Sequence, residues 1–297
     1  MNSITCGLVI AAHGRHYTVE FADGRLRHCF PRGKKGQAAV GDRVQVSLQG
    51  EAEGAIERIE PRRNLLYRSD EMRTKVFAAN VDQLLIVLAV APPFSVDLLG
   101  RALVGAWSVD IRPLIILNKI DLADGLAQAR AQLTDIDRLG VPIIELCAHH
   151  KEEARDKLLP YLHGQTNLLL GQSGMGKSTL LNALVPDALA ATREISTALG
   201  TGKHTTTSTR LYHLPDGNGD LIDSPGFQAF GLSHLSDSDI ERGFPEFAEH
   251  AAHCRFYNCT HLHEPGCQVL QALDHAQIGQ ERHALYARIL QERGRSK

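Results

Sequence analysis

The stretch Gly171-Gln172-Ser173-Gly174-Met175-Gly176-Lys177-Ser178 matches the pattern GxxxxGK[ST], in which a glycine-rich loop wraps a phosphate group. An apolar run at 168–170 precedes it, and a run with helical composition follows at 179–184. A strand that leads through such a loop into a helix presents backbone N–H groups and a positive helix end to a phosphate. The stretch therefore predicts an α/β domain with a nucleotide site.

Within this loop, Lys177 is expected to reach the β- and γ-phosphates, and the Ser178 hydroxyl is expected to bind Mg²⁺. The predicted nucleotide-binding residues of the loop are Gly171, Gln172, Ser173, Gly174, Met175, Gly176, Lys177, Ser178 and Thr179.

The tetrad Asn118-Lys119-Ile120-Asp121 matches NKxD, a guanine-reading pattern. The Asp121 carboxylate would accept hydrogen bonds from N1–H and the exocyclic amine of guanine, donors that adenine lacks, so the wrong base is rejected. Asn118 and Lys119 would brace the loop and flank the ring. Alone, NKxD also fits a helix cap after a strand, but beside a phosphate-binding loop it favours GTP and GDP as ligands.

Two further segments fit the same site. Cys147-Ala148 resembles the last guanine-contacting loop of GTPases, although Ser-Ala is usual there, and both residues are predicted to contact the base. Asp223-Ser224-Pro225-Gly226 matches DxxG: Asp223 is expected to hold Mg²⁺ through a water, and the Gly226 N–H to sense the γ-phosphate. In ordinary Ras-like GTPases the phosphate loop precedes NKxD. The reversed order here predicts a circularly permuted GTPase domain.

Phe227 stands where Ras-like enzymes place a glutamine that orients the attacking water. A phenyl ring offers no conventional hydrogen bond for that task, so we expect slow intrinsic hydrolysis. The nearest segment that could supply another group is Gly202-Lys203-His204-Thr205-Thr206-Thr207. Thr206 is predicted to coordinate Mg²⁺ in the GTP state, and His204 is the candidate catalytic residue. A solvated loop histidine or a phosphate contact would explain His204 equally well.

The chain divides into three predicted domains. Residues 1–68 alternate in polarity around the turn Asp23-Gly24, which favours a small all-β OB barrel, with another small β-module as the alternative. The loops of an OB barrel suit RNA, so this domain is predicted to bind RNA. Residues 69–231 alternate apolar runs with helical stretches, as in an α/β GTPase domain with a parallel sheet. Residues 232–297 have a mostly helical pattern. The acid-free basic run 25–41 is either an RNA contact or a solvated face.

Cys254, Cys259, His261 and Cys267 cluster in the last domain at short spacings. Three thiolates and one imidazole form a closed, tetrahedral set of the kind that holds structural Zn²⁺. His263 is a second candidate for the histidine ligand, and redox or buried apolar cysteines are the competing interpretations.

Composition and charge limit the cellular locations that this protein is expected to have. The formal net charge is −2, the longest apolar runs are too short to span a bilayer, and the N-terminus lacks the pattern of a signal peptide. We therefore expect a cytoplasmic protein without a membrane partner. The sequence leaves the oligomeric state open, and we expect a monomer.

The reversed motif order, the GxHTTT segment, DSPG before an apolar residue and Cys-x4-Cys-x-His-x5-Cys together resemble the RsgA family over nearly the whole chain. That resemblance implies an OB barrel, a permuted GTPase domain and a helical zinc domain. It also implies a GTPase that binds the 30S ribosomal subunit and its rRNA late in maturation, with hydrolysis stimulated by the subunit. The alternative is a GTP-regulated RNA-binding module that hardly hydrolyses GTP. Steady-state turnover with and without 30S particles discriminates them.

Overall fold

A computed structural model of the chain describes residues 4–32, 37–50, 52–69, 74–186, 188, 208–225, 227 and 230–295. The N-terminal strands are β1 (Ile4–His13), β2 (His16–Phe21), β3 (Leu26–Pro31), β4 (Arg43–Gln49) and β5 (Glu53–Ile59). They pair in the order β1-β2-β3-β5-β4, and β4 returns to β1, which closes a five-stranded barrel. The alternating residues Tyr17, Val19 and Phe21 point into its core. The predicted OB-type barrel is confirmed.

A separate antiparallel hairpin follows the barrel. Its strands are β6 (Leu65–Ser69) and β7 (Thr74–Ala79). The predicted boundary between residues 68 and 69 falls inside β6, whereas the last barrel strand already ends at Ile59. The division of the chain at residues 68 and 231 stays a prediction.

The next six strands form an α/β sheet. They are β8 (Gln83–Ala89), β9 (Arg112–Asn118), β10 (Ile143–Leu146), β11 (Thr166–Leu170), β12 (Thr209–His213) and β13 (Asp220–Asp223). The helices between them are α1 (Val96–Trp107), α2 (Leu126–Asp137), α3 (Lys151–Leu162) and α4 (Lys177–Leu184). The sheet order is β10-β9-β8-β11-β13-β12, in which β12 alone is antiparallel to its neighbour in this sheet.

The sheet has a topological switch point between β8 and β11. From β8 the chain moves outward to β9 and β10, and then returns to place β11 on the other side of β8. In open α/β sheets, ligands bind outside the carboxyl ends of the strands at such a point. The parallel register aligns these ends, because Ala89 and Leu146 both pair with Asn118, while Leu169 pairs with Asp223. The motifs predicted from the sequence therefore leave one edge of the sheet.

The barrel and the α/β sheet are continuous. Strand β1 pairs with β12, with Ala11 opposite Arg210, so eleven strands form one sheet. His213 adds a side-chain link: its Nε2 lies 2.7 Å from Glu20 of the barrel and its Nδ1 lies 2.7 Å from Asp220 of β13. The hydrogen bond to Asp220, with the nearby Glu20 carboxylate, raises the pKa of His213 to about 9. The link is therefore an ion pair at neutral pH.

The C-terminal segment is helical, as predicted, with α5 (Asp237–Arg242), α6 (Ala248–Ala251), α7 (Gln268–Asp274) and α8 (Gln280–Arg295). Helix α8 packs against α1, and Arg101 of α1 forms a bidentate pair with Glu292 at 2.6 and 2.8 Å. The buried Arg282 lies 4.3 Å from the Phe244 ring centroid and donates to Glu246 at 2.7 Å. Within the described residues, no helix has the length and apolarity needed to cross a membrane.

Candidate nucleotide site and metal centre

Asn118 lies at the centre of the site. Its side chain is 2% exposed, and its Nδ2 donates to the Met175 carbonyl of the phosphate loop at 2.9 Å. Its Oδ1 accepts from the Ala148 backbone N–H, also at 2.9 Å. One side chain thus joins the NKxD loop, the phosphate loop and the Cys147-Ala148 loop. A buried amide with both ends satisfied holds these three loops in one arrangement.

Two glycines make the approach of these loops possible. Gly176 has a φ of 91°, and a Cβ there would lie 2.2 Å from Asn118 Nδ2. A Cβ at Gly171 would lie 2.5 Å from the Val87 carbonyl oxygen of β8. Real Cβ atoms do not come this close to other atoms, so a side chain at either position would push the loop from the sheet edge.

Lys119 also links the NKxD loop to the phosphate loop. Its Nζ donates to the carbonyl oxygens of Ala91 and Gly174, each at 2.7 Å. Gln172 adds a further link, because its Oε1 accepts from the N–H of Ser95, the N-cap of α1. The sequence motifs assign neither contact, and the partners Ala91 and Ser95 carry no recognisable signal in the sequence.

Lys177 and Asp223 supply opposite charges at the phosphate end of the site. Lys177 Nζ donates to the Gly171 carbonyl at 2.5 Å and to the Gln172 carbonyl at 3.1 Å, which holds the ammonium within the loop. Burial lowers the pKa of Lys177 and raises that of Asp223, while the attraction between the two charges partly offsets each shift. A nearby lysine and aspartate can bind a phosphate and a phosphate-bound cation, respectively.

The base-reading end contains Asp121 and Cys147. Asp121 is exposed, and a hydrogen bond from the Cys147 side chain is the main cause of its lowered pKa. Burial, followed by the bond to Asp121, raises the pKa of the Cys147 thiol. The Cys147 thiol therefore stays protonated beside the carboxylate. The carboxylate remains ionised and able to accept two hydrogen bonds from a base.

The segment that follows β13 is anchored on both sides. Ser224 is buried, and its Oγ lies 3.0 Å from Thr209 Oγ1 of β12. Phe227 is 3% exposed, and its ring lies 5.8 Å from that of Phe230 in an edge-on contact. The Phe227 ring is therefore part of the hydrophobic core and is not placed to orient an attacking water. The predicted residues His204, Thr206 and Gly226 lie outside the described residues.

The four predicted metal ligands lie together beside α7. Their ligand atoms, from Cys254, Cys259, His261 and Cys267, are all within 4.8 Å of one another. His261 is 3% exposed, with Nδ1 facing the cysteines and Nε2 3.5 Å from Glu241. His263 is exposed. Of the two histidines, His261 therefore lies with the cysteines.

The donor set fits a tetrahedral ion. Cys254 and Cys267 Sγ are 3.9 Å apart, and they lie 3.6 and 3.5 Å from His261 Nδ1. A tetrahedral Zn²⁺ with ordinary bond lengths would place two sulfurs about 3.8 Å apart and a sulfur and a nitrogen about 3.5 Å apart. Glu264 was not predicted from the sequence; its carboxylate accepts from the Thr260 and Leu262 N–H groups and fixes the ligand loop.

Comparison with known proteins agrees with this geometry. The family model described as RsgA GTPase matches residues 59–233. The small ribosomal subunit biogenesis GTPase RsgA of Bordetella pertussis is 69% identical over 286 residues, which cover 96% of this chain and 95% of the relative. The chain belongs to the RsgA GTPase family. It is therefore a GTPase, and the resemblance drawn from the sequence motifs is confirmed.

Other relatives extend the comparison. The RsgA of Burkholderia pseudomallei is 58% identical over 288 residues, covering 96% of this chain and 91% of the relative. Among solved structures, YjeQ from Thermotoga maritima superposes with a TM-score of 0.75 at 29% identity, covering 98% of this chain and 99% of that chain. YloQ, described as a circularly permuted GTPase, superposes with a TM-score of 0.72 at 28% identity, covering 99% of this chain and 96% of that chain. The predicted fold class, with its permuted GTPase domain, is confirmed for this RsgA family member.

Proposed function

We propose that this RsgA family member is a GTPase of ribosome biogenesis that binds the 30S subunit late in its maturation and hydrolyses GTP there. The observation that carries the proposal is the pair of hydrogen bonds made by the Asn118 side chain, which joins the predicted base-reading loops to the predicted phosphate loop. Relatives named for small ribosomal subunit biogenesis support the assembly role. The subunit, its rRNA and GTP or GDP are the proposed partners of a monomeric, cytoplasmic protein.

The proposed nucleotide contacts follow the sequence motifs. Asp121 reads the base with Cys147 and Ala148 beside it, Lys177 binds the phosphates, and Ser178 and Thr206 bind Mg²⁺ directly. Asp223 holds the same ion through water, and Gly226 senses the third phosphate. The electrostatic attraction between Lys177 and Asp223 supports this arrangement.

The Cys₃His cluster is proposed to hold one structural Zn²⁺. Four protein ligands complete a tetrahedron, so the ion would have no open position for chemistry. Cys254, Cys259, His261 and Cys267 hold the loop between α6 and α7 in place around it, and Glu241 orients the His261 ring from outside.

The barrel is proposed to contact rRNA through β3. Phe30 and Leu26 are exposed on this strand, and the His16 ring lies 5.1 Å from Phe30. Exposed rings offer stacking surfaces to unpaired bases. The flanking arginines also have protein partners, since Arg25 pairs with Asp23 and Arg32 with Glu57. Aromatic stacking is therefore the stronger argument for this surface, and Lys34 and Lys35 of the basic run lie outside the described residues.

A turnover series tests the assembly role. Because Phe227 faces the core, the isolated protein should hydrolyse GTP slowly, in the range of about 10⁻⁴ to 10⁻² s⁻¹ of unaided switch GTPases. Purified 30S subunits should raise this rate, whereas 50S subunits should not. Equal turnover in all three conditions would favour the alternative of a GTP-regulated RNA-binding module, which the buried Phe227 ring keeps open.

Replacing His204 with Ala tests the proposed catalytic residue. A group that orients water acts mainly in the transition state, so nucleotide affinity should stay near that of the native protein while 30S-stimulated turnover falls by about 10²-fold or more. Single-turnover rates and equilibrium binding of a fluorescent GTP analogue separate these two effects. A variant that turns over at the native rate on the subunit would show that His204 is an ordinary loop residue.

A further inference from the structure

The β6–β7 hairpin contacts the segment after β13 at several points. Ser69 of β6 donates its N–H to the Gly231 carbonyl at 3.0 Å and accepts from the Ser233 N–H at 3.2 Å. On β7, Phe77 stacks on Phe230 with ring centroids 5.5 Å apart. Lys75, two residues earlier, donates from Nζ to the Pro225 carbonyl within the DSPG turn. The hairpin therefore holds this segment both at its start and beyond Phe230.

The Lys75 ammonium lies in an unusual setting. It is half-buried, and burial, together with the nearby Arg68 charge, lowers its pKa. Within the part of the chain that the structure describes, no carboxylate forms an ion pair with it, and its neighbours are the Pro225 carbonyl and the Phe77 ring 5.7 Å away. Partial burial of an ammonium has a cost, and the bond to the Pro225 carbonyl offsets part of it.

We propose that Lys75 is a positioning residue for GTP hydrolysis, which holds the DSPG turn by binding the Pro225 carbonyl. Pro225 lies two residues after Asp223, so the bond to its carbonyl fixes the turn close to that carboxylate. The inference rests on the proposed role of Asp223 and Gly226 in sensing the third phosphate.

This role predicts a selective effect. Lys75 makes its contact outside the loops that bind the base and the first two phosphates, so GDP affinity should not depend on it. The GTP state should depend on it, because that state needs the turn in one orientation. Loss of the lysine should therefore alter the ratio of GTP-analogue affinity to GDP affinity, together with the turnover rate.

The test compares Lys75→Met with Lys75→Arg in the full-length protein. For Lys75→Met we expect GDP affinity within about twofold of native and a loss of about tenfold in GTP-analogue affinity or kcat, the scale of a lost hydrogen bond to a charged group. Lys75→Arg should recover most of the loss. Lys157→Met is the matched control, because this exposed α3 lysine pairs with Glu153. Thermal melting checks that each variant folds, and Lys75→Gln replaces Lys75→Met if the latter does not.

Three results would decide against the inference. Native kcat and a native affinity ratio in Lys75→Met would reduce Lys75 to a packing residue, as would an equal loss of GDP and GTP-analogue affinity. If Lys75→Arg were as defective as Lys75→Met, the positive charge at this position would not be what holds the turn. If native protein itself bound GDP and the GTP analogue equally and Asp223→Asn changed neither affinity, the proposed phosphate-sensing function would be wrong, whatever Lys75 does.

Discussion

Replacing Asp121 with Asn should change the base preference of the nucleotide site from guanine to xanthine. The native carboxylate is proposed to accept from guanine N1–H and the exocyclic amine, whereas an Asn amide can donate to the O2 of xanthine. The Cys147 side chain lowers the pKa of Asp121, so the carboxylate is ionised for this reading. A site built around such bonds discriminates by about 10⁴ when they are unmatched, so GTP affinity should fall by a factor of this order.

Titrations with GTP, XTP and ATP measure this change. The control is Asp124→Asn, because Asp124 is an exposed carboxylate in the same loop region. The control should retain the native preference for GTP. Native protein that bound ATP as tightly as GTP would contradict the assignment of Asp121.

Removing a metal ligand should have the second large effect. Cys267→Ser should take the protein from about one Zn²⁺ per chain to none that survives dialysis, and should unfold the segment around α6 and α7. The reason is that binding energy of a structural zinc, about 10–16 kcal/mol in small zinc-binding peptides, is available as folding energy. Cys267 also caps α7, since its Sγ accepts from the Leu270 N–H at 3.4 Å, so the helix start would weaken as well.

Metal analysis by mass spectrometry and amide hydrogen exchange measure the two consequences. Cys6→Ser serves as the control, because Cys6 is an exposed free thiol in the barrel. Protein purified without chelator that contained no zinc would rule out the metal assignment. Fast exchange confined to the C-terminal segment in Cys267→Ser would support it.

The nucleotide site was largely predictable because its signals are local. Phosphate-binding and base-reading loops need particular residue types at fixed spacings, and each follows an apolar strand. The sequence alone therefore predicted that Lys177, Asp121 and Asp223 lie at one edge of the sheet. The barrel was predictable for a similar reason, since Tyr17, Val19 and Phe21 alternate along one strand. The spacing of Cys254, Cys259, His261 and Cys267 predicted their cluster.

The connections between these parts could not be predicted from the sequence. The two bonds of Asn118 depend on loops far apart in the chain, and neither partner atom belongs to a side chain. The pairing between β1 and β12 leaves no local pattern, because the composition of a strand does not identify the strand it pairs with. The β6–β7 hairpin and Lys75 were missed because a short hairpin with one lysine resembles any solvent-facing turn.

The pairing of β1 with β12 has a consequence for the order of folding. The barrel strands leave the ribosome first and contact mainly one another, so the barrel can close early. The barrel can pair with the α/β sheet only later. Arg210, the partner of Ala11, is synthesised after the phosphate loop and α4. Such distant pairing is slow, since closing a long loop costs entropy before any contact forms. Joining of the barrel and the α/β sheet is therefore expected among the late folding steps, and the end of β1 at Ala11 and Ala12 lacks this partner strand until then.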